Sequence, residues 1–123
     1  MIAPEFKNFQ IINKGWGCEK IIDNQPEYCG KLMYFNKGKK MSFHSHDSKK
    51  ETFYLLSGKV IFRYIDLTNA DYKETILAPE DIVHIPRLLP HQIEALEDSI
   101  VIEFSTHDDV NDSFRYQKGD SQQ

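Results

Sequence analysis

Turn-forming residues cut this chain into short apolar stretches, and that punctuation leaves an all-β domain as the architecture it can build. Lys31–Phe35 (KLMYF) reads as a strand ending at the turn signal Asn36-Lys37-Gly38. Lys40–His46 alternates around Met41, Phe43 and Ser45. Glu51–Leu56 stops at Ser57-Gly58-Lys59, and Val60–Ile65 follows at hairpin spacing. Beyond a polar loop, Asp66–Lys73, come short strands at Glu74–Leu77, Ile82–Ile85, His91–Ala95 and Ser99–Ser105. Roughly eight or nine strands of this kind remove their free edges by closing into a barrel or stacking as a two-sheet jelly roll. Helical potential is confined to Asp108–Tyr116, and Lys118–Gln123 is expected to be loose.

At 123 residues the chain suits one domain with a core of its own. Its formal charge of −4 and pI near 5.7 offer no basic surface, so neither nucleic acid nor an anionic membrane is an expected partner. No apolar run reaches membrane-spanning length, and Met1–Lys14 lacks the layout of a signal peptide, so a cytoplasmic location is expected. Cys18 and Cys29 form no C-x-x-C unit and are expected to be free thiols.

Chemistry concentrates in Gly38–Gly58, GKKMSFHSHDSKKETFYLLSG. Residues two apart on a strand share a face, so His44 and His46 point together. The polar DSKK linker can turn the chain so that Glu51 heads the next strand and faces back toward them. A third imidazole, His91, follows Pro86-Arg87-Leu88-Leu89-Pro90, and a barrel interior can bring it to the same point. Three neutral imidazoles and a carboxylate suit one divalent ion of Mn, Fe, Zn, Ni or Co, with positions left open for substrate or water. His84 is expected to be packed or capped within its strand, and His107 to face solvent.

These residues closely resemble the cupin superfamily. Gly38, His44, His46, Glu51 and Gly58 fill the first motif, G-x5-H-x-H-x4-E-x6-G, without a gap. The second motif, G-x5-P-x-G-x2-H-x3-N, keeps Pro86 and His91 but has Glu80, Leu88 and Ala95 in place of glycine, glycine and asparagine. The resemblance implies a double-stranded β-helix, or jelly-roll, barrel over residues 30–107. Residues 1–29 would pack as N-terminal strands and 108–123 as a short helical or irregular tail, all in one domain and often paired in a homodimer. Trp16-Gly17, Lys31 and the H-x-H hairpin occur in the order seen in the cupin domain of bacterial mannose-6-phosphate isomerase. Glu103-Phe104-Ser105-Thr106, with Asp112 and Phe114, looks like the end of cupin-type D-lyxose isomerases, where a glutamate on this strand moves protons beside the metal.

The expectation that follows is a metal-dependent isomerase or epimerase of a small sugar or sugar phosphate, with Glu103 as the catalytic group. Lys31 and Arg63 are candidate contacts to sugar oxygens or an anionic group. A dioxygenase-type cupin and a non-catalytic sugar-binding module are the competing readings, because one fold hosts all three.

Overall fold

Alternation along the central strands gives each one face to bury, and the burial follows it. The computed structural model describes residues 2–123. Its strands are β1 (Gln10–Lys14), β2 (Gly17–Asn24), β3 (Cys29–Phe35), β4 (Phe43–Ser45), β5 (Glu51–Ser57) and β6 (Val60–Ile65). The chain continues through β7 (Tyr72–Leu77), β8 (Ile82–Ile85), β9 (His91–Ala95), β10 (Ser99–Ser105) and β11 (Phe114–Gln117). They form a six-stranded sheet in the order β1-β2-β3-β10-β5-β8 and a five-stranded sheet in the order β11-β4-β9-β6-β7. All the ladders are antiparallel, and the arrangement is a jelly roll of two facing sheets.

Where the sheets face each other, one end of the interior is apolar. Met33, Phe35, Phe53, Leu55 and Val101 from the first sheet meet Val60, Phe62, Ile93 and Ala95 from the second. Trp16 stacks on Phe35 with ring centroids 4.3 Å apart and covers that end. Each large side chain buried here contributes roughly 1.5–3 kcal/mol. The same inward positions at the other end of the strands carry Lys31, Glu51, His91 and Glu103, all buried. Register places Glu103 between Lys31 on β3 and Phe53 on β5. An apolar floor thus supports a polar chamber.

The two glycine positions that the second motif lacks keep a glycine-like backbone. Glu80 has φ +78° and Leu88 φ +73°, in the left-handed region. The Leu88 amide donates to the His46 carbonyl at 2.8 Å, which ties the loop before His91 to the H-x-H strand. Gly58 has φ +92°, and a Cβ there would fall 2.2 Å from Ser99 Oγ, so this turn requires glycine.

Two expectations for the C-terminus are corrected. Asp108–Tyr116 contains only a single 3-10 turn, Val110–Asp112, after which β11 pairs with β4. The free edge of β4 supplies hydrogen-bond partners that an isolated short helix would lack. Residues 118–123 are docked rather than loose. The Asp120 amide donates to the Lys40 carbonyl at 2.8 Å, and the Lys40 amide donates to Asp120 Oδ2 at 2.7 Å. The Gly15 amide donates to Ser121 Oγ at 3.0 Å. Cys18 and Cys29 are free thiols, and no helix among the described residues is long and apolar enough to cross a membrane.

Candidate metal centre

His44 on β4 and His91 on β9 are direct cross-strand partners, and His46 follows two residues after His44. One ring nitrogen from each lies within 4.8 Å of the others. Their Nδ1 atoms all face backbone carbonyls. His44 Nδ1 donates to Ser42 O at 2.8 Å, His46 Nδ1 to Asp112 O at 2.9 Å and His91 Nδ1 to Leu89 O at 2.8 Å. A carbonyl only accepts, so each proton is fixed on Nδ1 and each Nε2 presents a lone pair. His91 is also held by packing, since its ring centroid lies 6.0 Å from those of Phe53 and Phe62.

Burial keeps the rings neutral, the protonation state a metal ligand needs. It lowers the His44 and His91 pKa values to about 3 and that of His46 to about 4. Neighbouring positive charge adds to the effect, from Lys49 at all three and from the other imidazoles.

Glu51 stands beside this trio, with Oε2 3.5 Å from His46 Nε2 and Oε1 3.9 Å from His91 Nε2. Its Oε2 and His91 Nε2 are buried without a hydrogen-bond partner. Buried polar atoms rarely stay unpaired, so two of them aimed at one point fit a cation between them. Burial, followed by the charge of Glu103, raises the Glu51 pKa to about 8.

Behind Glu51 lies a network that the sequence reading did not find. Lys49 is buried, with Nζ 2.9 Å from Asp108 Oδ1, 3.2 Å from Glu103 Oε2 and 3.8 Å from Glu51 Oε2. Lys31 Nζ lies 2.8 Å from Asp108 Oδ2 and 3.6 Å from Glu19 Oε1. Burial alone would lower both lysine pKa values, but the surrounding carboxylates, Glu103 foremost, outweigh it and hold them above the usual range. Asp108 is held well below the ordinary carboxylate range by Lys49 and Lys31, against the opposing effect of burial. Once a cation draws Glu51 into its ionised form, four carboxylates face two ammonium groups, an excess of negative charge equal to one divalent cation. The donor set, the orphaned atoms and the charge balance all fit a divalent ion held by His44, His46 and His91, with Glu51 completing the set.

Glu103 is buried and its Oε2 accepts from Ser105 Oγ at 3.0 Å as well as from Lys49. Lys31 and Glu103 line the same cavity of about 170 Å³ as His44, His46 and Glu51. Arg63 does not, which corrects its candidacy as a substrate contact. On β6 the inward positions go to Val60, Phe62 and Tyr64, so Arg63 faces outward and pairs with Glu74 at 3.1 Å and Glu94 at 2.7 Å. His84 is exposed on the outer face rather than packed, its Nδ1 3.5 Å from Thr52 Oγ1. His107 is exposed and its Nδ1 donates to Gln25 O at 3.0 Å.

Asp112 was singled out only through a resemblance, and the structure gives it a mechanical task. Its Oδ1 accepts from the amides of Asp47 and Ser48 and its Oδ2 from that of Lys49, each at 3.0 Å. Its carbonyl orients His46.

A family model for the cupin domain matches residues 31–107. No curated protein sequence matches the chain significantly. Among solved structures, the chain is similar to CapF, described as a capsular polysaccharide assembling protein from Staphylococcus aureus. The TM-score is 0.79 at 20% identity, covering 91% of this chain and 32% of that one. A structure of CapF with the inhibitor 3-isopropenyl-tropolone gives a TM-score of 0.77 at 21% identity over 89% of this chain and 34% of that one. Oxalate decarboxylase from Bacillus subtilis gives 0.74 at 19% identity, over 88% of this chain and 30% of that one. The chain therefore spans about a third of the length of these proteins.

Proposed function

The chain belongs to the cupin family, and from that premise we propose that it is a metal-dependent enzyme that moves a proton on a small sugar or sugar phosphate, as an isomerase or epimerase does. The observation that carries this reading is Glu103, a buried carboxylate in the same cavity as His44, His46 and Glu51. A divalent ion held by His44, His46, His91 and Glu51 would polarise two neighbouring substrate oxygens and so acidify the carbon-bound hydrogen between them. The protein's own groups supply the rest. The Glu103 carboxylate takes the proton from one carbon and returns it to the next. Lys49 and Ser105 donate to its Oε2 and fix its position, which leaves Oε1 for the proton. The apolar floor of Phe53 and Phe62 excludes water from one side of the chamber. CapF, a capsular polysaccharide assembling protein, shares this fold, which is in keeping with a carbohydrate substrate here.

The test is a screen of aldoses, ketoses and their phosphates with Mn-, Zn-, Co-, Ni- and Fe-loaded protein in deuterated water, read as deuterium entering the substrate carbon. Glu103→Gln is expected to slow exchange by about 10²–10⁴-fold while metal content stays at the wild-type level. Loss of metal together with activity would assign Glu103 a structural role. Absence of exchange with every sugar and metal would end the isomerase reading.

A further inference from the structure

The isomerase reading leaves one arrangement unused. A single carboxylate, Asp108, is gripped by two buried ammonium groups, Lys31 on its Oδ2 and Lys49 on its Oδ1, at 2.8 and 2.9 Å. We propose that Lys31 and Lys49 form a clamp for the compact oxyanion head group of a ligand, and that Asp108 occupies this clamp until such a ligand displaces it.

The two lysines belong to the framework. Lys31 sits on an inward position of β3, between two strands, and Lys49 lies just before β5, where Asp112 pins its backbone amide. Their side chains are only 6% and 4% exposed. Asp108 belongs to no strand. It follows the end of β10, and its side chain is 22% exposed at the mouth of the cavity. Its backbone is held by the side chain of Asn24, which donates to Asp108 O at 2.9 Å and accepts from the Asp108 amide at 3.0 Å. Both bonds are exposed, so water can replace them when the segment swings out. The neighbouring Val110, 87% exposed, offers little packing to resist the movement. The lysines can thus stay in place while the aspartate leaves.

Geometry and charge name the ligand class. Each ammonium meets a different oxygen of one anionic group, a contact that a carboxylate or a phosphate can make. A singly charged head group would replace Asp108 without altering the charge balance of the chamber. Leaving the clamp empty would strand two buried cations, so an uncharged ligand gains nothing by displacing Asp108. The clamp also abuts the metal-binding end, because Lys49 Nζ lies 3.8 Å from Glu51 Oε2. A small molecule anchored by its anionic end can therefore extend its next atoms toward the imidazoles. This deepens the proposed function by making the substrate anionic, and in that respect rests on it, but binding tests it without turnover.

The experiment titrates inorganic phosphate and acetate, separately, into the Mn(II)-loaded protein by calorimetry, with metal content and thermal melts recorded for every variant. Asp108→Asn is expected to bind at least one of the two anions about tenfold more tightly than wild type, because the competing carboxylate charge is gone. Asp108→Ala, which also removes the side-chain hydrogen bonds, is expected to do the same and guards against a folding defect peculiar to one variant. Adding Lys31→Met to Asp108→Asn should return the affinity to the wild-type level. A gain for phosphate alone identifies a phosphorylated ligand, and a gain for acetate alone a carboxylate. Unchanged affinity in both Asp108 variants would overturn the proposal. So would a gain that survives Lys31→Met, since the anion would then sit on the metal rather than in the clamp.

Discussion

Glu51 answers to two opposed demands. Without a cation its Oε2 is a buried acceptor with no donor, and its ionised form is disfavoured by burial and by Glu103. With a cation the same atom is a ligand. Glu51→Gln separates the two. Metal affinity is expected to fall by about 10–100-fold, read by calorimetry with Mn(II) or Zn(II). Metal-free Glu51→Gln is expected to be at least as stable as the metal-free wild type at pH 8, because a neutral amide has less to lose on burial. Unchanged metal affinity would remove Glu51 from the ligand set. His44, His46 and Glu51 were legible in the sequence because period-two spacing alone puts the first two on one face. Lys49 was missed although the same rule covers it, for positions 49, 51 and 53 share parity and all three are buried. It read as part of a polar linker because a buried lysine is credible only once its carboxylate partners are known, and Glu103 and Asp108 lie more than fifty residues away in sequence. Arg63 failed for the converse reason. Both faces of VIFRYI look apolar, so alternation could not say which side carried the arginine.

Among the elements, β3, β5, β6 and β10 were readable because each alternates and is bounded by turn residues. The C-terminal segment was not, because what makes β11 a strand is the unpaired edge of β4, a tertiary fact. The loops before β8 and β9 expose a local conflict. Glu80 and Leu88 hold left-handed φ angles, a conformation that costs a residue with a Cβ roughly 1–2 kcal/mol. Leu88 is 54% exposed and gives up little packing if replaced. Leu88→Gly relieves that strain but lets the unfolded chain roam more freely, so the two effects partly offset. The expected net result is a gain of about 0.5–1 kcal/mol, measured as a higher urea midpoint with an unchanged slope. A lower midpoint would mean that the Leu88 side chain, rather than the backbone, holds this loop against His46.

Across the whole molecule, a buried metal centre makes folding a proton-linked reaction, and the direction can be worked out group by group. The three imidazoles have ordinary pKa values of 6.5 and folded values of about 3 to 4. Unfolding therefore takes up their protons below pH 6.5, and the stability they represent is lost as pH falls toward the folded values. Glu51 works the other way, since its pKa rises from 4.5 to about 8 on folding. Its folded form keeps a proton that the unfolded chain releases, so its contribution shrinks as pH climbs through that range. Near pH 5.5 close to three protons taken up oppose one released, and stability should fall by roughly 2–3 kcal/mol per pH unit on acidification. From pH 6.5 to 8 only Glu51 remains, and the metal-free protein should weaken as pH rises. Metal-free protein is thus expected to be most stable near pH 6.5. A bound divalent ion stabilises the ionised Glu51, abolishes the alkaline decline and moves the optimum upward. Urea midpoints across this range, with chelator and with saturating Mn(II), check both limbs. A chelated protein whose midpoint keeps climbing from pH 6.5 to 8 would show that Glu51 is ionised in the folded chain without a metal. In that case Lys49, rather than the cation, is its principal partner.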